Sequence, residues 1–188
     1  MTDAETLGAR IYDLIEFLAV DGGNAEAPAA QTAFLELVHI MESRKPRPEK
    51  AVSMWVDLVA DAYVRGHAAA ADLNSALLLN VRSRLERELK AIAADLLTRG
   101  ADVSGIGADS VPLIAYALLH GRLPLGFGFD SDSIQDKTND ALLSQAVLVS
   151  GMSAEQRETF LALFRVSFLI GVAQRYGEAL GLTKLVVQ

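Results

Sequence analysis

The side chains that could do acid–base or metal chemistry near neutral pH are three histidines, His39, His67 and His120. His120 precedes Gly121 at a predicted helix end, where a cation is stabilised by the last carbonyl groups. His67 follows Gly66 at a predicted junction between two helices, where the carbonyl groups of a helix end would stabilise it in the same way. Because the chain has no Gly-x-Ser-x-Gly motif to supply a nucleophile for a histidine, we predict no catalytic residue.

Glu36 and His39 have the Glu-x-x-His spacing with which helix bundles ligate di-iron or di-manganese centres. Such a centre needs a second copy of the motif and a glutamate from each of two further helices. No second Glu-x-x-His occurs in the chain, and the absence of cysteine excludes thiolate-bound zinc. We therefore predict no metal and no cofactor.

One predicted helix carries a run of cations that could contact phosphate groups, Arg82, Arg84, Arg87 and Lys90. Glu86 lies four residues from Arg82 and from Lys90, and Glu88 lies four residues from Arg84, a pattern typical of an exposed ion-pair ladder. The chain has 17 Lys and Arg against 24 Asp and Glu, a net charge of −7. This charge opposes binding to a phosphate backbone, so nucleic acid is not a predicted partner.

Arg165 is the one charge within a run of apolar residues, 160–170. A buried guanidinium needs an anionic or carbonyl partner. Arg165 is therefore either an anchor for an anionic ligand, a structural ion pair, or a side chain that extends to the surface. Two small residues four apart on the same helix, Ser167 and Gly171, would let another backbone approach closely.

The segment 121–129 reads GRLPLGFGF and favours neither a helix nor a long strand. It places Leu125, Phe127 and Phe129 on a loop. Apolar loop residues either fold under the loop or bind another molecule. We regard these three residues as candidates for binding a ligand or a partner.

The secondary-structure elements that carry these candidate residues are predicted to be helices. Hydrophobic residues make up 51% of the 188 residues but aromatic residues only 6%, a composition rich in helix-forming Ala and Leu. No stretch alternates as a sheet would require. We predict an all-α helical bundle, residues 1–188 in a single domain with a possible subdivision near 100–110. It should have about seven helices, the C-terminal one apolar and central.

Turn and capping residues mark the expected helix ends. Gly100 and Gly181 should end helices in the left-handed conformation. Ser110 or Asp109 should cap a short helix that ends at His120. A helix from about 68 to 98 is either continuous or bent near 72–74, and another is expected over about 130–149.

Neither a secretory signal nor a membrane span is expected. The first residues, 1–5, are acidic where a signal peptide would be basic. The most apolar run, 160–173, is shorter than the ~20 residues of a membrane span and contains Arg165. These features predict no membrane insertion and a cytoplasmic location, which the lack of cysteine also favours.

Three classes of function follow. The first is a non-enzymatic protein-interaction or assembly protein that forms a homodimer or another homo-oligomer, or binds another protein. The second is a helical pocket for a small apolar or anionic ligand, with walls drawn from Arg165, Trp55, Tyr63, Tyr116 and the loop containing Phe127. The third is a histidine and carboxylate enzyme or metalloprotein. We favour the first, because it requires no special constellation of residues, and an enzyme is the less favoured alternative.

Overall fold

The computed structural model describes residues 3–19, 25–43, 49–70, 75–101, 103, 110–123, 136, 139, 140, 143, 150 and 153–182. Side chains are described for these residues except 3–6, 36–43, 49–58, 75–79 and 156. The described part of the chain is all-helical and contains no strand, so the predicted all-α class is confirmed. Its six helices are α1 (Asp3–Ala19), α2 (Glu26–Ser43), α3 (Glu49–Ala69), α4 (Ser75–Thr98), α5 (Val111–Leu119) and α6 (Ala154–Leu180).

Local signals account for several helix ends. Gly100 and Gly181 have φ of +83° and +62°, the left-handed conformation predicted for them, and they follow the ends of α4 and α6. The stretch expected from 68 to 98 is divided between α3 and α4. The helix expected over 130–149 lies outside the described residues, apart from four that are helical, Asp136, Asn139, Asp140 and Leu143.

One local prediction is wrong, and another holds only in part. Gly66 and His67 do not lie at a helix junction, because α3 continues to Ala69. Of the two capping candidates for α5, Asp109 lies outside the described residues, and Ser110 occupies the N-cap position but its hydroxyl does not bond to that helix. Instead it donates a hydrogen bond to the carbonyl oxygen of Leu182, a buried residue after α6. The Ser110 side chain therefore joins two segments that are distant in sequence, the start of α5 and the residues after α6.

The core is aliphatic and aromatic. Helix α6 contacts each of the other five described helices, most extensively α3 and α2. Its fully buried side chains include Phe160, Phe164, Phe168 and Tyr176. Helix α4 supplies Leu85, Leu89 and Ile92 from one face. Burial of such side chains is the main stabilising contribution in a helical domain.

Glycines allow α3 and α6 to approach to backbone contact. A Cβ atom on Gly171 would overlap the carbonyl oxygen of Tyr63 and crowd the amide nitrogen of His67. A Cβ atom on Gly66 would overlap the carbonyl oxygen of Phe168. The close approach expected at Ser167 and Gly171 is therefore confirmed for Gly171, and Ser167 is fully buried. This crossing sets the positions of the side chains around His67.

Candidate functional site

Four polar side chains connect α1, α3 and α6 through a chain of hydrogen bonds, which we call the polar clasp: Arg10, His67, Gln174 and Glu178. Arg10 Nη2 donates to Gln174 Oε1 over 2.9 Å, and Gln174 Nε2 donates to Glu178 Oε1 over 2.8 Å. The other Glu178 oxygen, Oε2, lies 2.9 Å from His67 Nε2. One oxygen of the Glu178 carboxylate thus joins α6 to α3, and the other holds Gln174, the residue that joins α6 to α1.

The clasp favours the ionised form of Glu178. Partial desolvation would raise the pKa of this carboxyl, but the hydrogen bonds from Gln174 and His67 and the charges of His67 and Arg175 outweigh it. The pKa of Glu178 therefore lies below its ordinary value. Arg175 contributes from 3.7 Å, the distance between its Nη1 and Glu178 Oε2.

The arrangement can orient an imidazole, but its evident use is to hold helices together. In the tautomer with the proton on Nε2, neutral His67 donates to Glu178 and keeps Nδ1 as an acceptor. The side chains of His67 and Glu178 remain 34% and 38% exposed, so water competes with the pair. The ring of Tyr63 stacks near that of His67, with centroids 6.4 Å apart. These contacts bind three helices at one point.

Arg165 contacts the first turn of α2. Its Nε lies 3.0 Å from Glu26 Oε1, and the two side chains are 29% and 37% exposed. Glu26 also lies in the first turn of α2, where the helix dipole stabilises its negative charge. Of the three expectations for Arg165, the geometry matches an ion pair between α2 and α6.

The other ligand-wall candidates are dispersed among the helices. Tyr63 is partly buried beside His67, whereas Tyr116 is buried in α5 and stacks on His120 with centroids 4.1 Å apart. Trp55 lies in α3, but its side chain is outside the described part. The loop candidates Leu125, Phe127 and Phe129 also lie outside the described residues.

Helix α4 has a solvent-facing side, which we call the α4 outer face, with exposed side chains at Arg84, Arg87, Lys90, Ala91, Ala94 and Leu97. Leu97 is 53% exposed. The nearby acids are occupied: Glu86 pairs with Arg82, and Asp95 pairs with Arg99. The α4 outer face therefore combines positive charge with apolar side chains.

The predicted ladder on α4 forms only in part. The pair between Arg82 and Glu86 is present at 2.9 Å. Glu88, however, accepts from Arg122 Nη2 at 2.9 Å rather than pairing with Arg84, and Arg122 also lies 3.8 Å from Asp95. A residue after α5 has thus replaced the local partner, because tertiary packing brings a second guanidinium to the flank of α4.

Sequence reasoning did not find the clasp. Gln174 and Glu178 are four residues apart, which indicates a shared helix face. Nothing in that spacing points to His67, which is 111 residues away from Glu178. Among the described side chains, no three histidine, aspartate or glutamate residues gather where they could hold a metal ion.

The described helices fall short of the combined length and apolarity that crossing a lipid bilayer demands. Comparison with known protein families, curated proteins and solved structures finds no significant match.

Proposed function

We propose that this protein is a non-enzymatic helical interaction or assembly protein that self-associates as a homodimer through a surface that includes the α4 outer face. In this proposal α6 is the central helix that holds the fold together. Its contacts with all five other described helices support that role. The same proposal places the protein in the cytoplasm, which its cysteine-free composition supports.

The observation that carries this proposal is the exposure of Leu97 on a side of α4 that the other described helices leave open. Helix α4 makes its main contacts with α5 and α6, while Ala91, Ala94 and Leu97 face solvent. Apolar side chains grouped on one exposed face are typical of interaction surfaces. In contrast, the histidine and arginine best suited to ligand chemistry, His67 and Arg165, are held by carboxylates of other helices.

The test compares Leu97→Glu with Leu35→Glu by light scattering over a range of concentrations. Leu35 on α2 is 47% exposed and serves as a matched control. We expect the unaltered chain and Leu35→Glu to form dimers and Leu97→Glu to shift toward the monomer. A chain that remains a 20.1 kDa monomer at micromolar concentration would contradict the proposal.

A further inference from the structure

Two charge pairs on different helices have the same spacing and opposite signs. Arg87 and Lys90 are three residues apart on the α4 outer face, and Asp13 and Glu16 are three residues apart on α1; all four side chains are exposed. Residues three apart on a helix lie on one side of it, with Cβ atoms about 5–6 Å apart. Two helices lying side by side can therefore bring both cations to both anions.

These four charges lack opposite charges within the described part of the molecule. Neither Asp13 nor Glu16 forms an ion pair there, and Lys90 also has no carboxylate partner. Arg87 donates only to the carbonyl oxygen of Ser83, one turn earlier in its own helix, over 3.4 Å. Arg82 on α4 and Arg99 just after its end differ, since Arg82 pairs with Glu86 and Arg99 pairs with Asp95. The four charges are thus available to an external partner.

We propose that Arg87 and Lys90 on the α4 outer face bind Asp13 and Glu16 on α1 of a second copy of this chain. This inference rests on the self-association proposed above and names the two surfaces that meet. A second copy suits the cationic face because the chain is acidic, with a net charge of −7. A twofold dimer would make the contact twice, since each copy presents both surfaces.

The residues between the charges permit close approach. Ala91 and Ala94 are exposed beside the two cations, and Ala9 is exposed beside the two anions. Small side chains let helices lie near each other, which strengthens charge interactions by shortening distances and excluding water. Leu97, about two turns beyond Lys90 and three beyond Arg87, would then be covered by the partner.

A second acidic pair provides the comparison. Glu155 and Glu158 at the start of α6 are also exposed and three residues apart. Arg157 is exposed between them, and Glu155 lies in the first turn, where the helix N-terminus offsets its charge. Their local potential is therefore weaker than that of Asp13 and Glu16, and we do not expect them to meet the cations of α4.

The experiment uses two charge-reversed chains and one control. The first carries Arg87→Glu and Lys90→Glu, the second carries Asp13→Lys and Glu16→Lys, and the control carries Glu155→Lys and Glu158→Lys. The second chain and the control have the same change in net charge. Circular dichroism verifies that each remains helical, which exposed substitutions should allow, and sedimentation equilibrium measures self-association.

We expect each of the first two chains alone to associate at least about tenfold more weakly than the unaltered chain, because like charges then meet. Their equimolar mixture should regain the original affinity, since every contact between the two kinds of chain is again between opposite charges. The control should associate normally. Raising the salt from about 0.1 M to about 1 M should weaken the unaltered dimer, as the Debye length falls from about 10 Å to about 3 Å.

Failure of this inference differs from failure of the proposed function. If the unaltered chain dimerises and the reversed chains dimerise equally well, or if their mixture gains nothing, the surfaces are assigned wrongly while self-association stands. Equal weakening of the control would also overturn the assignment, because net charge alone would explain it. A monomeric unaltered chain would overturn both.

Discussion

Gly66 of α3 lies directly against the backbone of Phe168 on α6, so close that a Cβ atom at Gly66 would overlap the Phe168 carbonyl oxygen. Because that oxygen belongs to a helix backbone, it cannot turn aside as a flexible side chain could. Gly171 makes the reciprocal approach to the carbonyl oxygen of Tyr63. The α3–α6 crossing therefore depends on two residues without side chains.

The first prediction is that Gly66→Ala and Gly171→Ala each destabilise the fold by about 3 kcal/mol or more. Alanine favours an isolated helix by about 1 kcal/mol over glycine, but forcing two backbones apart outweighs that gain. Urea denaturation measures the free energy of unfolding. Gly8→Ala in α1 is the control, because nothing lies within 4 Å of the added Cβ, and it should stabilise by about 0.5–1 kcal/mol. Equal effects at Gly8 and Gly66 would contradict the prediction.

The second prediction concerns the ion pair between Arg165 and Glu26. A double-mutant cycle with Arg165→Met and Glu26→Gln should give a coupling free energy of about 0.5–1 kcal/mol, the value typical of a partly exposed pair. Thermal and urea denaturation of the four chains supply the data. A coupling near zero would mean that the contact adds nothing to stability and would reopen the role of Arg165 as a ligand anchor.

The third prediction is a loss of stability in acid that depends on Glu178. Because folding lowers the pKa of this carboxyl, its contribution is present above the unfolded-state pKa and is lost as the pH falls through the lower folded-state value. The loss of stability is therefore expected below about pH 4, because the ordinary pKa of a glutamate side chain lies near that pH. Unfolding free energies at a series of pH values should show Glu178→Gln less stable than the unaltered chain at pH 7, with the difference shrinking in acid. A difference in unfolding free energy that stays constant as the pH falls would refute this prediction.

The fourth prediction concerns Phe127 and Phe129, whose positions lie outside the described residues. If the loop binds a partner, the double change Phe127→Ala, Phe129→Ala should leave the unfolding free energy within about 1 kcal/mol while weakening self-association or ligand binding. Buried rings would instead cost roughly 3–5 kcal/mol each. Calorimetry and light scattering on the same sample separate these results, and strong destabilisation with unchanged association would remove the loop from the functional surface.

The amino-acid sequence by itself determined the local features of the fold. Helical periodicity and the lack of alternation predict the all-α class, and Gly100 and Gly181 predict helix ends because left-handed backbone costs glycine little. Gly171 predicts a close backbone approach for a similarly local reason, the lack of a side chain. Such inferences need only residues within a few turns of one another.

Only the tertiary structure decided which helices those features meet. Helical spacing places Gln174 and Glu178 on one face but carries no information that His67 lies opposite them. It also predicts an ion pair between Glu88 and Arg84, whereas in the structure Glu88 pairs with Arg122. Arg165 likewise demands an anion, yet nothing near it in sequence identifies Glu26. Partner choice depends on how whole helices cross, and that is set by the summed burial of many apolar side chains and by glycine contacts such as Gly66 with Phe168, rather than by any local pattern.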